Sequence, residues 1–140
     1  GIPEKTDPLV TEGKAGLVKA FQDATSIVDS SGLCVFTTFA WTLEDIAPQV
    51  NAACEGNWTP ETMLEAGERI WNMERDFNIA AGMTAADDTL PDRLLKEAAK
   101  TGPAKGKVNN LHEMLPEYYE LRGWSSDGIP TAETRTRLGL

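Results

Sequence analysis

The sequence predicts an all-α, multihelical fold, and three observations lead to this prediction. Apolar residues recur at helical spacing along most of the chain, capping residues precede several of these stretches, and no clear strand pattern is found. The 140 residues suit one domain, and the 41% of hydrophobic residues can form a core without disulfides. Residues 34–39, rich in strand-forming side chains, are the single ambiguous element.

The N-terminal third predicts two helices. The first precedes Gly32, its expected stop, and Thr11 is its expected cap. The second begins at Thr42, which forms a capping pair with Asp45, and continues toward Gly56.

The longest helix is predicted from Pro60 to Ala81, because Thr59 provides a cap and a proline at the first helical position is favourable. Its length of about 21 residues corresponds to roughly 30 Å. An apolar stripe at helical spacing supports it, formed by Met63, Leu64, Ile70, Met73 and Phe77.

Three shorter helices are predicted in the C-terminal half. Pro91 indicates the start of one that extends to Ala98. Residues 111–121 have helical spacing, but Pro116 should bend or break that helix. Thr131 is the expected cap of the last one.

Composition excludes several classes of protein. The 22 acidic residues outnumber the 13 basic ones, and the net charge of −9 argues against nucleic acid or an anionic membrane as partner. No apolar stretch is long enough to span a membrane, and the N-terminus does not resemble a signal peptide. Two cysteines could pair, but such sparse usage predicts a cytoplasmic protein. The two cysteines and the one histidine are too few to complete a metal site within this chain.

Several candidate residues have structural interpretations. His112 is expected at the surface, and Cys54 is expected to be a small packed residue near a helix end. Charged residues along the longest helix are expected to form ion pairs. An aromatic and basic group is expected to pack in the core with polar tips at the surface rather than to stack a ligand. This group consists of Tyr118, Tyr119, Arg122 and Trp124.

The most informative segment runs from Asp29 to Cys34 and contains Gly32 and Leu33. A carboxylate, a turn-forming glycine and a thiol beside a helix end suit the edge of a cofactor. Turns of this composition also simply terminate helices, so the segment alone does not distinguish a cofactor-binding segment from a helix terminus.

Four segments read together carry a family resemblance. They are residues 13–36, GERIWNMERDFN at 67–78 with a following glycine at 82, DDTLPDR at 87–93, and YYELRGWSSDGIPT at 118–131. In this order and spacing they resemble the C-terminal part of the tungsten-dependent aldehyde:ferredoxin oxidoreductases. The chain also ends in Leu138-Gly139-Leu140, much as members of that family end.

The resemblance implies that residues 13–140 are the helical C-terminal domain of a longer oxidoreductase, after a flexible N-terminal tail at 1–12. Such enzymes oxidise aldehydes to carboxylic acids with a tungsten (or molybdenum) bis-pterin cofactor, in which pterins of the molybdopterin type bind the metal. They pass electrons through a 4Fe-4S iron-sulfur cluster to ferredoxin. The expected partners are therefore the upstream domains of the same polypeptide, ferredoxin and an aldehyde substrate.

The resemblance also assigns roles within the motif. The Asp29 carboxylate would hydrogen-bond the pterin, Gly32 and the Leu33 backbone would lie against it, and Cys34 would be the fourth cluster ligand. The other cluster ligands lie upstream in the family, so the isolated domain is expected to be inactive and to bind no cofactor. The alternative is a stand-alone helical scaffold or protein-interaction module with no redox cofactor.

Two expectations about exposure follow. Part of an apolar group should lie at the surface, where missing domains would cover it; it comprises Val35, Phe36, Phe39 and Trp41. Cys34 should be exposed beside Asp29 on one concave edge, and Cys54 should be farther away and more buried.

Overall fold

The computed structural model describes residues 6–140, which contain six α-helices and two short 3₁₀ helices. The α-helices are α1 (Lys14–Ser30), α2 (Leu43–Ala53), α3 (Pro60–Ala80), α4 (Asp92–Lys96), α5 (Leu111–Arg122) and α6 (Ala132–Leu138). The 3₁₀ helices are Val35–Phe39 and Ala85–Asp87. Within residues 6–140 the only β-type pairing is an isolated bridge between Trp124 and Pro130. The prediction of an all-α fold is confirmed.

Caps predicted from local sequence are present at three helices. Thr59 accepts a hydrogen bond from the Thr62 amide, and α3 ends one residue before the predicted Ala81. The Thr42 amide donates to Asp45 at 2.9 Å at the start of α2. Thr131 caps α6 by accepting from the Thr134 amide.

Three boundaries differ from the prediction. Gly13, not Thr11, is the N-cap of α1, and it has the left-handed φ of +72° that favours glycine. α4 ends at Lys96, short of residue 98, since the following residues enter a hydrogen-bonded loop. α5 is unbroken at Pro116, because a proline in the second turn leaves only one first-turn carbonyl without its intrahelical partner.

The ambiguous run at 34–39 is helical rather than extended. The hydroxyls of Thr37 and Thr38 donate to the carbonyls of Cys34 and Val35, at 2.8 and 2.7 Å, and close the 3₁₀ turns locally. Residues 1–5 of the predicted tail lie outside the described residues. At residues 6–12, turns place the Asp7 carbonyl within 2.6 Å of the Lys14 ammonium.

The apolar core lies where the C-terminal half of α1 meets α2 and the first turns of α3. Its buried members are Ile27, Val28, Ile46, Ala47, Met63 and Ala66. Leu33, which directly follows α1, packs against this core and thereby fixes the start of the loop to Cys34. α5 packs on α1, and α6 packs on α3.

A buried polar layer connects α5 and the 82–91 segment to α1 and α3. The guanidinium of Arg122 is fully buried and donates to Asp23 at 2.5 Å and to Gln22 at 2.7 Å. Arg75 forms a two-pronged pair with Asp88 at 2.8 and 2.6 Å. Such pairs connect separate elements with fixed geometry.

None of the helices described over residues 6–140 has the length and apolarity required to cross a lipid bilayer.

Candidate functional site

The end of α1 places Asp29 at the surface. Asp29 lies in the last turn, and the Gly32 amide donates to its carbonyl at 3.2 Å. Gly32 adopts φ +76°, a conformation that glycine takes without strain, and the space around it is open. The Ser31 hydroxyl donates to the Val28 carbonyl at 2.6 Å and closes the turn. The carboxylate therefore faces solvent beside a tight backbone turn.

Cys34 is held between a packed residue and a 3₁₀ turn. Leu33 contacts the core on one side, and on the other the Thr37 amide and hydroxyl both donate to the Cys34 carbonyl, at 2.9 and 2.8 Å. The thiol itself is exposed. The expected exposure of Asp29 and Cys34 is confirmed, whereas their roles toward a cofactor stay predictions.

The expectation that Cys54 is buried is wrong. This residue is the C-cap of α2, has extended backbone angles and is exposed, because the chain leaves the core there and enters the 54–58 connection. Within residues 6–140, no group of three or more His, Cys, Asp or Glu side chains could hold a metal ion.

A groove of about 370 Å³ begins at Asp29 and follows α1 and α3. Its lining includes Phe21, Thr25, Ser26 and Ser30 from α1 and Ile70 from α3. Gln22, Trp71 and Glu74 line this groove and also a second cavity of about 390 Å³, which is lined mainly by α1, α3 and α5. The two spaces are therefore neighbours.

The sequence interpretation missed the role of Gln22. Its carbonyl oxygen accepts from the Tyr118 hydroxyl and from Arg122, both at 2.7 Å, and Tyr118 accepts from the Trp71 indole at 2.9 Å. The available signal in the sequence was that Gln22 is a polar residue on a mostly apolar face of α1. The partners lie about a hundred positions apart, so spacing alone could not identify them.

The aromatic and basic group near the C-terminus packs in the interior, as predicted, but the expectation that its polar tips lie at the surface is wrong, because the Arg122 guanidinium is fully buried against Asp23. Tyr119, Arg122 and Trp124 are buried, and the Trp124 indole donates to Asn72 at 2.7 Å. Burial, followed by the hydrogen bond to Asp88, raises the pKa of Tyr119 to about 12. These residues are satisfied within the fold, which favours a structural role.

The last two structural interpretations agree with the structure. His112 is exposed, as expected. The charged residues of α3 form ion pairs, as predicted for pairs within or between helices, and most of their partners lie on other elements: Glu68 binds Lys19 and Arg137, and Asp76 binds Arg135. Burial would raise the pKa of Glu68, but the hydrogen bond from Arg137 and the charge of Lys19 outweigh it and lower that pKa.

An apolar surface follows Cys34 directly. Phe36 and Phe39 are 71% and 87% exposed and stack on each other with ring centroids 5.8 Å apart. Val35 and Trp41 are each 40% exposed. The expectation that part of this group lies at the surface is confirmed for all four residues. We call Val35, Phe36, Phe39 and Trp41 the apolar patch.

Comparisons with known proteins show that this chain is similar to the members of one family. The family model described as aldehyde ferredoxin oxidoreductase, domains 2 and 3, matches residues 1–140. The tungsten-containing aldehyde ferredoxin oxidoreductases of Pyrococcus furiosus and Pyrococcus abyssi are 48% and 47% identical over 142 residues. Each alignment covers all of this chain and 24% or 23% of the relative, so the chain spans about a quarter of their length.

One solved structure shows the same fold at lower sequence identity. It is the active site complex BamBC of benzoyl coenzyme A reductase in complex with 1,5-dienoyl-CoA, with a TM-score of 0.74 and 24% identity. The match covers 99% of this chain and 21% of that one. Since the family model spans the entire chain, this protein belongs to the aldehyde ferredoxin oxidoreductase family.

Proposed function

We propose that this domain supplies one pterin-binding segment and one cluster cysteine to a tungsten-dependent enzyme that oxidises aldehydes to carboxylic acids. Conversion of an aldehyde and water to an acid releases two electrons and two protons. When bound, the tungsten bis-pterin group supplies this oxidation and the 4Fe-4S cluster supplies the path for electrons to ferredoxin. The chain's own contribution is to bind and orient these groups.

The observation that carries the proposal is the joint exposure of Asp29 and Cys34 on either side of the Gly32 turn. A carboxylate accepts hydrogen bonds from the ring N–H and amino groups that a pterin edge offers. The open space beside Gly32 leaves room for a flat ring system to approach the backbone. The donor set and the shape of this segment therefore fit the proposed cofactor.

Cys34 fits the role of a cluster ligand. Cysteine thiolate is the usual ligand of iron–sulfur clusters, and an exposed thiol on a fixed loop can reach a metal held mainly by another domain. Leu33 fixes that loop, because its side chain packs against the apolar core. We infer that the remaining cluster ligands come from upstream segments of the same polypeptide.

The apolar patch is the surface through which we expect upstream domains to contact this one. It adjoins the proposed ligand Cys34, and two adjacent phenylalanines that are more than two-thirds exposed are unfavourable in water. Burying the patch against the rest of the polypeptide would remove this cost and hold the motif against the cofactor.

The two exposed cysteines provide a matched test. In the full-length enzyme, Cys34→Ser should lower the iron content, weaken the electron paramagnetic resonance signal of the cluster and reduce ferredoxin reduction. Cys54→Ser, which removes the other exposed cysteine, should leave all three unchanged. Asp29→Asn should lower the tungsten and pterin content at unchanged iron content.

The opposite pattern would contradict the proposal. If Cys34→Ser retained the cluster signal, the segment would be only a helix terminus, and the alternative of a scaffold without a redox cofactor would gain support. Family membership over the whole chain favours the enzyme.

A further inference from the structure

In the part of the chain that the structure describes, the basic side chains without an ion pair collect at one place, although the protein is acidic. Over the described residues, seven Lys and Arg side chains form ion pairs: Lys19, Arg69, Arg75, Lys96, Arg122, Arg135 and Arg137. Those that pair with no carboxylate within residues 6–140 are Lys14, Arg93, Lys100, Lys105 and Lys107. Since 22 acidic residues compete for 13 basic ones, unpaired cations are unexpected here, and their clustering points to a ligand.

These cations surround a groove of about 1070 Å³ between the segment before α1 and the loop after α4. Four of them line it, and Lys105 lies in the same loop. Among residues 6–140, Glu97 is the single acidic residue in the lining. Aliphatic side chains that are 37–48% exposed also line the groove: Leu9, Val10, Leu94 and Val108. The groove therefore combines positive charge with apolar surface.

Backbone hydrogen bonds fix the shape of the loop that carries the cations. The Ala99 amide donates to the Lys107 carbonyl at 2.9 Å, and the Gly106 amide donates to the Ala99 carbonyl at 2.8 Å. The Asn109 amide donates to the Leu94 carbonyl at 2.9 Å and ties the loop to α4. A loop closed in this way holds the backbone from which its lysines extend in one conformation, which lowers the ordering cost of binding.

We propose that this groove binds an extended acidic peptide segment of a partner protein, with carboxylates on the lysines and aliphatic side chains on the apolar walls. Charge complementarity favours an acidic ligand. A long polyanion such as nucleic acid is disfavoured, because the net charge of −9 repels it outside the groove. A short acidic segment contacts only the basic groove and not the acidic surface around it. The alternating side chains of an extended peptide can contact both the lysines and the aliphatic walls of the groove.

The groove is separate from the proposed cofactor segment. It adjoins the N-terminal end of α1, whereas Asp29 lies at the C-terminal end, and the 17 residues of this helix span about 25 Å. Binding there can therefore be tested without reference to the cofactor or to the oxidation reaction. A loss of cluster or tungsten content would concern the proposed function, and a loss of peptide binding would concern this groove.

The test measures fluorescence anisotropy of a labelled peptide of alternating Glu and Leu, about ten residues and hence about 33 Å when extended, with the full-length polypeptide. Salt is held at about 0.15 M, so that charges more than about 8 Å away are screened. Lys100→Glu and Lys107→Glu should each weaken binding by roughly three- to tenfold. Lys96→Glu is the matched control: it reverses a charge in the same stretch, but Lys96 is paired with Asp92 and does not line the groove, so we expect less than about twofold.

Three results would overturn the proposal. The first is failure of the Glu/Leu peptide to bind the full-length polypeptide. The second is an equal loss in the Lys96→Glu variant, which would mean non-specific attraction. The third is displacement of the peptide by inorganic phosphate or by a DNA duplex at concentrations similar to the peptide's own, which would mean a small-anion or nucleic-acid site. Since all three lysines are exposed, circular dichroism should show unchanged folding.

Discussion

The backbone of α3 at Gly67 packs directly on the carbonyl group of Asp23 in α1, so closely that a Cβ at position 67 would overlap the oxygen. This contact brings the two longest helices together at the edge of the apolar core. It also sets the position of the last turns of α1, from which Asp29 and the loop to Cys34 follow. The location of the candidate site thus depends on a glycine in another helix.

The first prediction concerns this helix contact. Gly67→Ala should destabilise the fold by about 2–3 kcal/mol, because two backbones must separate to admit the methyl group. Urea unfolding measures the change. Gly16→Ala is the control, since its added Cβ would lie 3.8 Å from Leu121, an ordinary contact, and alanine favours a helix. Equal stability of Gly67→Ala and the unmodified protein would show that the close approach is unimportant.

A second prediction concerns the buried guanidinium of Arg122. Arg122→Met should cost about 3–5 kcal/mol, because the buried carboxylate of Asp23 would keep only Lys19 as a charged partner. Adding Asp23→Asn to the variant should recover part of the loss. By comparison, Lys96→Met removes an exposed pair and should change stability by less than about 0.5 kcal/mol. A cost below about 1 kcal/mol for Arg122→Met would contradict the assigned role.

Alkaline titration tests the environment of Tyr119. Burial and the hydrogen bond to Asp88 raise the pKa of Tyr119 from 10.0 to about 12, so the folded protein keeps a proton that the unfolded chain loses. The associated stability is fully present below about pH 10 and is lost as the pH rises toward 12. Tyr119→Phe should lack this loss, which is on the order of 2 kcal/mol. If both proteins lose stability equally over this range, the raised pKa is wrong.

Acid titration tests the pair between Glu68 and Arg137. Burial opposes ionisation of Glu68, but the hydrogen bond from Arg137 and the charge of Lys19 lower its pKa below 4.5. The associated stability is therefore present above about pH 4.5 and is lost as the pH falls through the lowered pKa. Arg137→Ala should be less stable at neutral pH, by about 1 kcal/mol or less, and should lose less on acidification. Thermal melts over this pH range would show an unchanged acid dependence in the variant if the pair is unimportant.

The helix boundaries show what local sequence can specify. Thr42, Thr59 and Thr131 were identifiable as caps because a cap bonds to residues two or three positions away, so all its partners lie within one stretch of sequence. The order of the helices and the Asp29–Cys34 motif were readable for the same reason. Gly13 was missed as the cap of α1, since it uses backbone conformation rather than a side-chain hydrogen bond.

By itself, the sequence determined the all-α class, the position of α3 and the residues of the candidate motif, because these depend on periodicity and on near neighbours. The three-dimensional structure was needed to show that residues 35–39 form a 3₁₀ helix and that Cys54 is exposed. It also decided that Asp23 pairs with Arg122, a residue 99 positions away, and that four of the five unpaired cations of residues 6–140 line one groove. Electrostatic pairing and burial depend on distance in space, and helix packing sets these distances independently of separation along the chain.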